Sequence, residues 1–213
     1  MDVKICGLGT EQTVDVAISA GASHVGFVFY PLSPRHVGPS HAAELAKRAK
    51  DQRIKVVAVT VDAGDGMLDA IVETVAPDML QLHGKEEPWR VEEIKDRYGL
   101  PAMKAISIET ADDLAKVDEY ADIADRLLFD AKAPKGSAIP GGNGVSFDWS
   151  ILKGMKGDWF LSGGLSPENV QEALSVCSPG GLDVSSSLES APGVKDPERI
   201  RAFFAAIREA EAA

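Results

Sequence analysis

No apolar run of about 18 residues, the length at which a segment becomes a membrane-span candidate, occurs anywhere in the 213-residue chain. No membrane partner is expected. The opening MDVKICG also lacks the basic segment, apolar segment and small-residue cleavage site of a secretory signal, so a cytoplasmic location is expected. Cysteine is scarce. Cys6 and Cys177 stand far apart, in no CxxC or Cys/His spacing, which signals neither a disulfide framework nor a zinc site. Positive charge is outnumbered as well, with 22 basic against 33 acidic residues and a net charge of -11. Such a field opposes polyanions, so nucleic acid is excluded as a partner, whereas a small anion held by local N–H groups and one or two basic side chains is not.

What is present is a rhythm. Short β-branched or apolar runs alternate with stretches of helical spacing, and the candidate strands are Val3–Cys6, His24–Phe29, Lys55–Val61, Met79–His83, Ala102–Ser107, Arg126–Asp130, Trp159–Ser162 and Leu182–Ser185. Runs such as VVAVTV and RLLFD are nearly continuous in apolar residues, as in parallel strands covered on both faces. Helix starts are marked by Ser166-Pro167-Glu168, Asp196-Pro197-Glu198 and Thr110 with Asp113. Eight such units without a break in composition predict an α/β fold, a single-domain (β/α)8 barrel over residues 1–213. The one long irregular stretch, Lys132–Phe147, reads as a lid over the site rather than a linker, because the rhythm resumes after it.

In this fold chemistry sits at the carboxyl ends of the strands. Those positions hold Cys6, His83, Asp130 and Asp183, with Arg35 in the loop after the second strand. Cys177, in helical step with Val170, Ala173 and Leu174, reads as a packed thiol. Cys6 ends a strand and precedes Gly7, so it is either another packed thiol or one that faces a cavity and tends toward thiolate near helix N-termini. Asp130, closing an apolar run, is either a cap or ion-pair partner or a desolvated acid suited to proton donation. Gly163-Gly164 and the small residues of DVSSSLE lie after the seventh and eighth strands, where this fold makes its phosphate cradle.

The segments KICGL, VGFVFYPLSPRHV, LQLHG, LLFDA, GGNG with FDW, LSGGLSPENV and GLDVSSSLESAPGVKD resemble, in order and across nearly the whole chain, the phosphoribosylanthranilate isomerases of tryptophan biosynthesis. The resemblance implies an Amadori rearrangement of a phosphosugar–anthranilate substrate in a monomer or homodimer, with no organic cofactor and no metal. It implies that Cys6 is the general base, that Asp130 is the general acid and that Arg35 holds the anthranilate carboxylate. It places phosphate at Gly163, Gly164, Ser185 and Ser186, and lines the cavity with His83 and Asp183. Two positions depart from the family pattern: Asn143 stands for Thr in GGTG, and Ser187 for Gly in SSGVE. The second brings a β-carbon into a loop expected to approach phosphate closely. Rival readings are another small phosphate-binding barrel, such as a pentose-phosphate epimerase or an imidazole-carboxamide isomerase, and a catalytically silent phosphosugar-binding barrel. Cys6 where paired catalytic aspartates would need an Asp argues against the imidazole-carboxamide isomerase.

Overall fold

Eight short runs of apolar residues become eight strands because each can bury both faces. The computed structural model describes residues 1–137 and 139–212; Ala138, within the expected lid, and Ala213, within the expected domain span, lie outside the described residues. The strands are β1 (Asp2–Cys6), β2 (His24–Val28), β3 (Lys55–Thr60), β4 (Met79–Leu82), β5 (Ala102–Ile108), β6 (Arg126–Ala131), β7 (Trp159–Leu161) and β8 (Gly181–Val184). They are parallel and close in sequence order, with β1 pairing both β2 and β8. No end departs from its expected position by more than one residue.

Alternation along the strands splits the core in two. One set of side chains, including Cys6, Val28, Val57, Val59, Met103, Leu128 and Phe160, fills the barrel interior. The other set, including Ile5, Phe27, Ala58, Leu80 and Phe129, packs outward against the helices. The inward set also carries Lys4, Gln81, Asp130 and Asp183, all buried. Charge inside a barrel is costly unless paired, so these positions point to function.

The helices are α1 (Glu11–Ala20), α2 (Pro39–Asp51), α3 (Asp65–Val75), α4 (Pro88–Tyr98), α5 (Val117–Tyr120), α6 (Val170–Val176) and α7 (Pro197–Ala212). Thr10 caps α1 by accepting from the Thr13 N–H, and Asp196 accepts from the Glu198 N–H at the start of α7. Four expectations about the helices are corrected. Ser166 does accept the Glu168 N–H, but the chain turns irregularly there and α6 begins only at Val170, after Asn169 has accepted the Ser166 N–H. Cys177 consequently lies just past α6 in extended backbone, still buried, with its Sγ on the Ala173 carbonyl. The segment after Thr110 is a 3-10 turn, Ala111–Lys116, before the single turn of α5, and β6 is followed by the long loop and a 3-10 turn, Trp149–Leu152, rather than an α-helix. After β8 come a 3-10 turn, Ser186–Leu188, and a hairpin of β9 (Glu189–Ala191) and β10 (Val194–Lys195). Among the described residues no helix is long and apolar enough to cross a membrane.

Candidate active site

The carboxyl ends of the strands surround a half-open cavity. Cys6, His83, Asp130, Asp183, Gly163, Gly164, Ser185, Ser186 and Arg35 all line it, so the candidate catalytic and binding residues meet in one place. Val28, Tyr30, Val59 and Val61 add an apolar wall, and Ile139 to Val145 close over the opening.

Asp130 and His83 form one unit. His83 Nε2 lies 3.1 Å from Asp130 Oδ2, the Ala131 N–H donates to Oδ1 at 2.9 Å, and Gln81 lies 2.9 Å from His83 Nδ1. Gln81 lies on the inner face of β4 and His83 two residues on, just past the end of the strand, from where its imidazole reaches Asp130 on β6. The carboxyl is buried, as its position closing RLLFD implies.

Cys6 is also buried, and here the expected drift toward thiolate is reversed. Burial pushes the thiol above its ordinary value and Asp183 pushes the same way, while Lys4 and Lys195 pull it back only in part. The resting group is a thiol in a mixed field of charges.

Arg35 has a partner that the sequence did not reveal. Its Nε and Nη2 donate to the two oxygens of Glu189 at 2.7 and 2.9 Å, and Nη2 also reaches the Gly142 carbonyl at 3.2 Å. Glu189 is paired with Lys195 too and accepts from the Gly193 N–H, and these contacts outweigh burial in holding its carboxyl below the usual range. Lys195, pushed down by burial, is 3.3 Å from Ser185 Oγ, which itself donates to the Cys6 carbonyl at 3.0 Å. The β9–β10 hairpin thus braces both the cation at the mouth and the strand end that carries the thiol.

The glycines after β7 take left-handed backbone, φ 84 at Gly163 and φ 66 at Gly164, which turns the chain and bares its N–H groups. Ser187 settles differently from its expected intrusion. It has no positive φ, does not line the cavity, and donates its hydroxyl to the Leu165 carbonyl, tying the loop after β8 to the loop after β7. Asn143 donates to the Ile139 carbonyl and accepts from the Ser137 hydroxyl, bracing the loop from within. Lys4, Glu189 and Lys195 escaped the sequence reading, because each shows its partner only in the fold.

A closed parallel barrel with a thiol, a carboxyl–imidazole pair, a braced arginine and glycine-rich loops at the ends of β7 and β8 defines an α/β-barrel enzyme architecture with its cavity at the carboxyl ends of the strands. A family model described as N-(5'phosphoribosyl)anthranilate (PRA) isomerase matches residues 3–206. The chain belongs to that family. It is 58% identical over 213 residues to the N-(5'-phosphoribosyl)anthranilate isomerase of Rhodopseudomonas palustris, covering 99% of this chain and 97% of the relative. It is 58% identical over 205 residues to that of Agrobacterium fabrum, covering 95% and 93%. Among solved structures, the phosphoribosyl anthranilate isomerase of Thermotoga maritima superposes with TM-score 0.85 at 31% identity over the full length of both chains. A phosphoribosyl anthranilate isomerase in complex with reduced 1-(o-carboxyphenylamino)-1-deoxyribulose 5-phosphate superposes with TM-score 0.84 at 29% identity, covering 98% of this chain and 99% of that one.

Proposed function

We propose that this enzyme converts N-(5'-phosphoribosyl)anthranilate to 1-(o-carboxyphenylamino)-1-deoxyribulose 5-phosphate in tryptophan biosynthesis, with Cys6 as general base and Asp130 as general acid. The observation that carries the reading is the single cavity lined by Cys6, Asp130 and Arg35 together with the loops after β7 and β8. Asp130 gives a proton to the furanose ring oxygen, the ring opens, and C1 and nitrogen become an iminium. The Cys6 thiol, having released its proton to solvent, takes the C2 proton as thiolate, the electron pair moves toward nitrogen, and the resulting enolamine tautomerises to the ketone by gaining a proton at C1 and losing the one on the C2 hydroxyl. The iminium is the electron sink, so the steps balance with no cofactor and no metal.

Binding follows from the remaining side chains. Arg35 and Lys195 carry two positive charges against one on Glu189, and the single excess suits the one carboxylate of the anthranilate group. Tyr30, Val59 and Val61 would flank the aromatic ring, with phosphate on the N–H groups near Gly163, Gly164, Ser185 and Ser186. Asp183, paired with Lys4 on the wall below the thiol, completes the lining. The Thermotoga maritima isomerase is dimeric and has also been solved as monomers generated from that dimer, which leaves both a monomer and a homodimer open to this chain. The test is turnover of N-(5'-phosphoribosyl)anthranilate by purified protein with chelator present. Cys6→Ala and Asp130→Asn should each lower kcat by about two orders of magnitude or more; an unimpaired Cys6→Ala enzyme defeats the general-base assignment.

A further inference from the structure

Lys4 is among the largest fully buried side chains of the described residues, with no exposed surface. Its ammonium has three donors, and its hydrogen bond to a described residue in the fold is to Asp183 Oδ1, at 2.8 Å. Asp183 in turn sits 3.4 Å from the Ser162 hydroxyl through its other oxygen. A lysine needed only to neutralise an aspartate would serve better outside the barrel, where desolvation costs less. This one shares the inner face of β1 with Cys6, two residues on.

The neighbouring strand is shaped to admit it. A β-carbon at Gly26 on β2 would lie 3.0 Å from Lys4 Nζ, 3.1 Å from its Cε and 3.2 Å from the Cys6 Cα. Glycine at this position leaves the space that the ammonium and the strand end carrying the thiol both use.

We infer that Lys4 is a positioning residue for the Cys6 base: its buried ammonium, held by Asp183 and given room by Gly26, stabilises the negative charge on sulfur. This rests on the reading of Cys6 as the base. The charged and titratable groups facing the sulfur are Lys4 on its own strand, Asp183 from β8 and Lys195 from β10, with Asp130 and His83 across the cavity and the Arg35–Glu189 pair at its mouth. Of these, Lys4 exerts the strongest pull toward thiolate, acting through its charge against burial and Asp183. Burial alone would lower the Lys4 ammonium's own pKa, yet Asp183 and the Cys6 sulfur keep it raised, so the cation persists where it is needed.

The pair of substitutions Lys4→Met and Asp183→Asn separates this role from a structural one. In a Cys177→Ala background, where Cys6 is the remaining thiol, the pH midpoint of Cys6 alkylation by iodoacetamide reads the thiol directly. Lys4→Met should raise that midpoint by about one pH unit, a tenfold loss of thiolate at fixed pH, and Asp183→Asn should lower it. A merely structural ion pair predicts the same sign for both, since loosening the barrel hydrates the thiol and lowers its midpoint either way. A lowered or unchanged midpoint in Lys4→Met therefore overturns the inference, as does a raised one in Asp183→Asn. Should Lys4→Met leave an uncompensated Asp183 and fail to fold, the neutral double variant Lys4→Met/Asp183→Asn carries the same expectation for the loss of the cation. A midpoint at or below wild type in that double variant overturns the inference equally. Failure of the base assignment is seen separately, as full turnover by Cys6→Ala, and leaves the titration result standing.

Discussion

Arg35 holds two kinds of partner with one planar group. Two of its nitrogens are fixed on Glu189, one of those also touches the lid carbonyl of Gly142, and Nη1 carries no hydrogen bond to the described residues. A guanidinium can grip a carboxylate on one edge and present another edge to a ligand, whereas an ammonium has no second edge. Arg35→Ala should therefore raise KM about tenfold or more with a smaller change in kcat, and Arg35→Lys should recover little of it. An unchanged KM in steady-state assays of Arg35→Ala would remove it from the carboxylate site. Legibility at this scale depended on position. Cys6, Asp130 and His83 stood out because each closes or follows an apolar run in a fold whose chemistry lies there. Glu189 and Lys195 lie in a hairpin of three- and two-residue strands, too short to show a period, and their pairing exists only once Arg35 is folded beside them. Lys4 was masked differently, because one charge in an apolar strand reads as noise until Asp183 is seen across the β1–β8 seam.

The strands were read to within a residue because doubly covered strands must be apolar almost throughout, and such runs end where the loops begin. Helices were less legible where tertiary contacts replaced propensity. After β5, Asp113 takes the N–H groups of Glu109 and Thr110, yet the turn stays 3-10. After β6 the chain gives up its helix for the loop, and residues 139–145 of that loop line the cavity. Gly142 meets Arg35, and Gly141 comes so close to the acid pair that a β-carbon there would fall 2.4 Å from His83 Nε2 and 2.7 Å from Asp130 Oδ2. Gly141→Ala should hold this segment off the site without touching the barrel core. The expected outcome is a kcat lowered about tenfold or more while the melting temperature moves by no more than about 2 °C. Wild-type turnover in Gly141→Ala would mean that the closed position of the loop has no part in catalysis.

For the molecule as a whole, acid is the informative stress, because two effects of opposite sign act together. With a net charge of -11 and a pI near 4.8, acidification relieves self-repulsion and favours the compact state. Against this stands His24, buried at the opposite end of the barrel from the cavity, with Nδ1 on the Ser23 hydroxyl, its ring edge-on to Phe160 and Nε2 unpartnered among the described residues. Burial, opposed by Asp2 and helped by the nearby cations Lys55, Lys4 and Arg126, lowers its pKa to about 4 from 6.5. Between those two values the unfolded chain binds a proton that the fold refuses. Stability is thus fully present above about pH 6.5 and declines by about 1.4 kcal/mol per pH unit toward pH 4, about 3 kcal/mol in all. Glu189, depressed by Arg35 and Lys195, adds its own loss only as pH falls through the lower carboxylate range, so the histidine dominates the upper part of the window. His24→Gln carries the same global field without the titrating ring. Its urea midpoint should stay nearly level between about pH 6.5 and pH 5 while that of the wild type falls, and parallel curves for the two proteins would show that His24 does not set the acid limb.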